Sequence, residues 1–176
     1  MTVAIGAPAP GFSLADTAGA TWSPTDPDVG ATVIVFTCNH CPYALAWQDR
    51  IADAARDYAQ RGVRFLAINS NDGARYPRDS YEAMQRRVER EDWPMPYLHD
   101  ASQEVARAYG ATTTPDVFVL DAGGILRYRG APDGDYDDPA RRADWLRGAL
   151  EAILEHRSPE PAETAPVGCS IKWTSR

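Results

Sequence analysis

The sequence predicts a single-domain α/β protein with a central mixed sheet flanked by helices, an N-terminal β-hairpin and an extended C-terminal tail. Apolar, β-branched runs that suit buried strands recur along the chain. Between them, apolar residues recur every three or four positions, which is typical of amphipathic helices. The 176 residues are 44% hydrophobic and 24% charged, a composition that fits one soluble globular domain.

The N-terminal third predicts a hairpin followed by a strand, a helix and a second strand. Two short apolar segments flank the polar turn 16–19, which indicates the hairpin. The run 31–36 predicts a strand buried on both faces. Helical periodicity covers 43–61, and Gly62 is placed to end that helix. The apolar run 63–68 predicts the second strand.

The middle of the chain predicts two further helices. One is expected to begin near Asp79, with Glu82 completing a capping box. Prolines within 93–96 end it, and Asp100 with Gln103 is expected to cap a short helix that follows.

Two strands, a helix and a tail complete the predicted order. Strands are expected at 115–120 and 125–128, joined by a Gly-rich turn. Asp138 followed by a proline predicts the start of a last helix that runs to about residue 155. We therefore expect a domain over 1–157, with its hairpin within about 5–30, and a tail over 158–176 that packs on the domain.

Charge and composition exclude several functional classes. The net charge of −7 argues against nucleic acid as a partner, because neutralising phosphates requires clustered Lys and Arg. No apolar run approaches the length of a membrane helix, and no signal peptide is visible at the N-terminus. Three cysteines are too few for a secreted disulfide framework. We expect a cytoplasmic protein that does not associate with membranes.

The motif Cys38-Asn39-His40-Cys41 lies where a predicted buried strand gives way to a long helix. We expect Cys38 at the helix N-terminus, where free N–H groups and the helix dipole stabilise a thiolate. Cys41 is then the more buried and less ionised thiol. Cys38 is predicted to attack a substrate disulfide and Cys41 to resolve the mixed disulfide. His40 is predicted to lower the pKa of Cys38 further.

A soft metal ion bound by Cys38, His40 and Cys41 is an alternative use of the same side chains. Zinc sites usually need a fourth ligand at close spacing, and the remaining Cys and His residues lie far along the chain. Disulfide exchange needs no metal or organic cofactor, because the electrons reside in the cysteine pair.

Three segments resemble the thioredoxin superfamily, and within it the peroxiredoxin-like branch of the alkyl hydroperoxide reductase and thiol-specific antioxidant (AhpC/TSA) group. They are Gly6–Leu14, the Cys-x-x-Cys after a strand, and Thr114-Pro115-Asp116 before another. The resemblance implies a thioredoxin-like fold over roughly 5–155. It also implies that Pro115 is cis and faces the motif, and that the backbone of Thr114 pairs with a substrate strand lying over Cys38.

Two departures from this resemblance bear on activity. Thioredoxins hold a buried acid in the strand before the motif, whereas residues 31–37 contain none. Peroxiredoxins place a threonine three residues before the peroxidatic cysteine, where this sequence has Val35. The sequence therefore favours a thiol–disulfide oxidoreductase that acts on protein or small-molecule disulfides with a thiol reductant. A thiol-dependent peroxidase that uses Cys38 is the alternative.

The third cysteine, Cys169, lies in an apolar segment after an extended stretch of about ten residues. Such a stretch spans up to about 33 Å, enough to return across the domain. Ile171 and Trp173 predict that the tail packs on the body, with Cys169 as a bystander. The alternative is that Cys169 approaches the Cys38–Cys41 pair as a relay thiol.

Overall fold

The computed structural model describes residues 2–175, which are organised around one five-stranded sheet. The strands are Leu14–Ala15 (β1), Thr21–Trp22 (β2), Ala31–Phe36 (β3), Val63–Asn69 (β4), Tyr97–His99 (β5), Thr113–Thr114 (β6), Asp116–Asp121 (β7), Leu126–Gly130 (β8) and Cys169–Ser170 (β9). The helices are Pro42–Ala59 (α1), Tyr81–Arg90 (α2), Glu104–Tyr109 (α3) and Asp144–Leu154 (α4). A 3₁₀ turn, Pro77–Asp79, precedes α2.

The sheet is mixed, and its strand order is β5-β4-β3-β7-β8. Strand β3 pairs in parallel with β4, which pairs in parallel with β5. On its other side β3 pairs antiparallel with β7, which pairs antiparallel with β8. The predicted α/β class with a mixed central sheet and an N-terminal hairpin is confirmed, and the sheet holds parallel and antiparallel pairs in equal number.

Each face of the sheet has its own core, because successive side chains of a strand point to opposite faces. From β3, Val33 and Val35 pack with α1 and α4. Ile34 and Phe36 point the other way and pack with α3, the N-terminal segment and the buried Ile171 of the tail. Both faces of β3 are buried, which explains its unbroken apolar sequence.

Two predicted helix starts are wrong. Helix α2 begins at Tyr81, and its N-cap is Ser80, whose side chain accepts the backbone N–H of Ala83 at 3.2 Å. Asp79 is therefore not the cap; it is fully buried and serves the site described below. Helix α4 begins at Asp144 rather than after Asp138.

A long-range hydrogen bond explains the late start of α4. A carboxylate oxygen of the buried Asp133 accepts the backbone N–H of Ala143 at 3.0 Å, at the residue that caps the helix. Asp138 caps only a local turn, by accepting the N–H of Ala140.

The sequence did not predict strand β5. It has three residues, which are too few to show a period.

The C-terminal tail packs on the sheet and its flanking helices. Ile171 is 3% exposed and donates its backbone N–H to the carbonyl of Thr112 at 2.9 Å. The division at residue 157 stays a prediction. Within residues 2–175, no helix combines the length and hydrophobicity needed to cross a membrane.

Candidate active site

The motif Cys38–Cys41 occupies the loop between the carboxyl end of β3 and helix α1. Helix α1 begins at Pro42, and Cys41 is its N-cap in an extended conformation with φ −72° and ψ 123°. The prediction that Cys38 lies at the helix N-terminus is therefore wrong. A residue that precedes proline is disfavoured in helical conformation, so Pro42 fixes the start of the helix one residue after Cys41.

The sulfurs of Cys38 and Cys41 lie together under Thr114. The two residues are 1% and 0% exposed, both are free thiols, and they pack in one cluster. Cys41 donates its S–H to the carbonyl oxygen of Thr114 at 3.1 Å. The sulfur of Cys38 lies 3.4 Å from the hydroxyl of the same threonine. Thr114 therefore contacts both members of the pair.

The peptide bond between Thr114 and Pro115 is cis, the geometry that the family resemblance implies. This bond separates the short strand β6 from β7. Strand β7 lies beside β3 with Asp116 opposite Phe36. The pairing of β7 with β3 thus brings Thr114 next to the motif.

The two thiols shift each other's pKa in opposite directions. The interaction with Cys41 and then burial raise the pKa of Cys38, and the negative charge of Asp79 raises this pKa further. The interaction with Cys38 lowers the pKa of Cys41, and Cys169 and the backbone N–H of Ala44 lower it further. The N–H of Ala44 belongs to the first turn of α1, where anions are stabilised. Which of the two thiols ionises first stays a prediction.

The ring of His40 lies against Asp79, and one of its nitrogens is also within 4.8 Å of the Cys38 sulfur. Its Nδ1 lies 2.5 Å from Oδ2 of Asp79, an ion pair when the imidazole is protonated but not a well-directed hydrogen bond. The ring also stacks on Tyr76 at 6.1 Å between centroids. The hydroxyl of Thr114 and then the backbone hydrogen bond from His40 oppose the rise in the pKa of Cys38. Direct tuning by the imidazole stays a prediction.

Asp79 is the centre of a buried polar cluster that sequence analysis did not assign to the site. Its Oδ1 accepts the backbone N–H of Asn39 at 2.7 Å and the amide of Asn69 at 3.1 Å. Its Oδ2 accepts the amide of Asn71 at 2.9 Å. The polar run after β4 was the available signal, because it follows the neighbouring parallel strand at the same edge of the sheet as the motif.

Arg87 fixes the motif from helix α2. It is 4% exposed and donates from Nη1 to the carbonyl of Cys38 and to Oδ1 of Asn39, both at 2.9 Å. Tyr97 donates its hydroxyl to the same Asn39 oxygen at 2.7 Å. The only sequence signal was the helical spacing of Arg87 from the buried Met84. The loop between the cysteines is thus held on the side opposite Thr114.

A group of metal-ligating atoms is present, but it differs from the predicted set. One ligand atom each from Cys38, His40 and Asp79 lie within 4.8 Å of one another. This group, found among residues 2–175, contains Asp79, whereas the predicted set contained Cys41. The carboxylate of Asp79 already accepts three amide hydrogen bonds, which leaves little lone-pair capacity for a cation.

The third cysteine approaches the pair. Strand β9 pairs antiparallel with β6, and Cys169 lies opposite Thr114. The side chain of Cys169 packs on the cluster of Cys38 and Cys41. The backbone edge that the resemblance assigns to a substrate strand is therefore covered by the tail of this chain.

Comparisons with known proteins agree on a family and a fold. The family model described as the AhpC/TSA family matches residues 5–129. An uncharacterized conserved protein from Geobacillus kaustophilus is 39% identical, with a TM-score of 0.93 over 99% of this chain and 95% of that one. A hypothetical protein from Sinorhizobium meliloti 1021 is 33% identical, with a TM-score of 0.92 over 100% and 98%.

A more distant structure shows the fold alone. A provisionally assigned thioredoxin from Neisseria meningitidis is 24% identical, with a TM-score of 0.68 over 84% of this chain and 89% of that one. No curated protein matches the sequence. The predicted thioredoxin-like fold and the predicted family are confirmed.

Proposed function

Because the chain belongs to the AhpC/TSA family of the thioredoxin superfamily, we propose that it is a thiol–disulfide oxidoreductase with Cys38 and Cys41 as its redox pair. The observation that supports this proposal is two buried free thiols that both contact Thr114, beside the cis Thr114–Pro115 bond. Two adjacent thiols can give up two electrons by closing one disulfide. The reaction needs no organic cofactor or metal.

The proposed reduction of a disulfide has two steps that balance in atoms and electrons. In the first, the sulfur of Cys38 attacks the substrate disulfide, whose S–S bond breaks to form a mixed disulfide, and the released substrate sulfur takes the proton of Cys38. In the second, Cys41 attacks the sulfur of Cys38, its proton passes to the departing substrate sulfur, and a Cys38–Cys41 disulfide remains. A thiol reductant then restores the pair.

The surroundings of the two sulfurs support this division of roles. The sulfur of Cys41 is enclosed by Cys38, Thr114 and Cys169, so we assign the attack on an incoming disulfide to Cys38. The sulfur of Cys38 lies 3.4 Å from the hydroxyl of Thr114, which can donate to that sulfur when it ionises.

Substrates and location stay proposals as well. We propose protein or small-molecule disulfides as substrates and a thiol as the electron donor, in the cytoplasm. Neither nucleic acid nor a membrane is a proposed partner.

A single-turnover trapping experiment tests the pair. Reduced variants, all carrying Cys169→Ser so that the third thiol cannot interfere, receive one equivalent of oxidised glutathione and are quenched in acid for peptide mapping. We expect Cys41→Ser to retain glutathione on Cys38, and Cys38→Ser to retain at least tenfold less. An adduct on Cys41 in the Cys38→Ser protein would reverse the roles.

The same variants distinguish peroxide reduction from disulfide exchange. If oxidised glutathione forms no adduct on Cys38 of the Cys41→Ser protein, while hydrogen peroxide converts that Cys38 to a sulfenic acid, the peroxidase alternative replaces the proposal.

A further inference from the structure

The tail lies where a substrate strand is expected. Thr113 pairs with Ser170 and Thr114 pairs with Cys169 in an antiparallel ladder. Family resemblance assigns the backbone of Thr114 to an extended substrate that presents its sulfur to the motif. Here the residue that occupies this position is itself a cysteine. The tail therefore places a thiol in the position of a substrate thiol.

Specific contacts hold the tail in this position. Gln103, which is 1% exposed, donates its amide to the carbonyl of Lys172 at 2.9 Å and accepts the backbone N–H of Thr174 at 2.9 Å. The buried Asn71 accepts the backbone N–H of Lys172 at 2.8 Å. Two buried side chains thus bind backbone groups of the tail, which is how a protein binds a peptide of defined register.

Gly168 lets the tail approach the Thr114–Pro115 bond closely. A Cβ atom at this position would lie 2.6 Å from the carbonyl carbon of Thr114 and closer still to its oxygen. No real Cβ tolerates such a contact with backbone, so any larger residue here moves the tail away. The tail is therefore shaped to put Cys169 against the pair.

We propose that Cys169 is a third redox cysteine, which takes over the disulfide of the Cys38–Cys41 pair by bonding to Cys41. This role rests on the proposed function. The Cys169 thiolate attacks the sulfur of Cys41, the Cys38–Cys41 bond breaks, and a Cys41–Cys169 bond forms. Cys38 leaves as a thiolate and takes the proton that Cys169 gave up, so no external oxidant is needed. The exchange regenerates Cys38 as the attacking thiol, and the disulfide then joins Cys41 to the tail.

Disulfide mapping after stoichiometric oxidation tests the role of Cys169. The reduced full chain and its Cys38→Ser variant each receive one equivalent of oxidised glutathione, followed by alkylation at low pH and peptide mapping. We expect a peptide linking Cys41 to Cys169 from the full chain, and at least tenfold less of it from the Cys38→Ser variant, which cannot form the disulfide to be taken over. The Cys169→Ser variant should stop at a Cys38–Cys41 disulfide. Absence of the Cys41–Cys169 link in the full chain, or an equal yield of it without Cys38, would overturn the inference.

A matched pair of glycine variants tests whether the position of the tail is what matters. Gly168→Ala should lower the yield of the Cys41–Cys169 link at least tenfold while leaving the Cys38–Cys41 disulfide intact. Gly148→Ala is the control, because a Cβ there meets nothing within 4 Å. An unchanged yield of the link in Gly168→Ala would also overturn the inference.

The outcomes separate this inference from the proposed function. Suppose that the Cys169→Ser variant forms the Cys38–Cys41 disulfide and reduces oxidised glutathione as fast as the parent. If the full chain then shows no Cys41–Cys169 link, only the role of Cys169 is overturned. If no protein forms an intramolecular disulfide, both are overturned.

Discussion

Replacing Asp79 by asparagine should destabilise the fold by about 3 kcal/mol, because the carboxylate is fully buried and faces four donors. Oδ1 accepts from Asn39 and Asn69, and Oδ2 faces the amide of Asn71 and the ring of His40. A carboxamide keeps one oxygen and turns an NH₂ group toward the other two donors. Two contacts with a charged acceptor are lost, each worth about 1.5–3 kcal/mol. Part of this cost should be recovered by small shifts of the amides.

The same substitution should make Cys38 more reactive at low pH. The negative charge of Asp79 raises the pKa of Cys38, so a neutral side chain should lower it. Alkylation of Cys38 in the Asp79→Asn protein should therefore persist to lower pH than in the parent. A substitution that only damaged the fold would lower the stability without lowering the pKa of Cys38. A loss of stability together with a lower pKa would therefore support the assigned effect of the charge.

Urea unfolding under reducing conditions at pH 7 measures the stability, and alkylation rates of Cys38 across pH 7–11 measure its acidity. Asp53→Asn is the control, because Asp53 is an exposed acid on α1. If Asp79→Asn unfolds within about 0.5 kcal/mol of the parent, as surface substitutions do, the buried cluster does not stabilise the motif loop. A shift of the alkylation profile to higher pH would contradict the assigned effect of the charge.

Further substitutions test the ionisation of the thiols and the hydrogen bonds of Arg50. Absorbance at 240 nm should show that Cys41 of the Cys38→Ser protein ionises at a pH below the ordinary range of a thiol, since a serine hydroxyl can still donate to it. Cys41→Ser should show no thiolate until alkaline pH, and a low-pH thiolate in that variant would refute the assignment. Arg50 donates to both oxygens of the buried Asp133 and to three loop carbonyls, so Arg50→Lys should cost about 2–4 kcal/mol in urea unfolding. Arg90 is exposed, so Arg90→Lys should leave the free energy of unfolding almost unchanged. Equal losses of stability in the two variants would refute the role of the Arg50 hydrogen bonds.

Sequence patterns predicted the elements whose stability is set by burial. Strand β3 coincides with an unbroken apolar run, and helix α1 follows its helical apolar period closely, because both contribute many buried side chains to the core. Starts of helices were less predictable, because several side chains competed for the same role. Ser80 caps α2 although Asp79 precedes it, and Asp133 determines where α4 begins. That competition is settled by contacts distant in sequence.

Within the site, the cysteine pair was predicted from spacing, but its electrostatics were not. Pro42, immediately after Cys41, was sufficient to predict that the helix begins there. The predicted position of Cys38 at the helix N-terminus did not take this proline into account. The amides that meet at Asp79 come from separate loops, and only the sheet order brings them together. The approach of Cys169 to Cys41 depends on the path of an extended tail with no regular period. Such contacts lie beyond local patterns.

The pairing of β9 with β6 has a kinetic consequence. Since Cys38 and Cys41 are both almost fully buried, an external disulfide reaches them only in molecules whose β9 has detached. Short, two-residue ladders open locally at a lower free energy than a core strand does. The observed rate with a large substrate is then the intrinsic rate multiplied by the fraction of open molecules. An open fraction of about one in a hundred corresponds to about 2.7 kcal/mol for opening. A partner that bound only the detached tail could therefore speed the chemistry up to a hundredfold without contacting a sulfur atom.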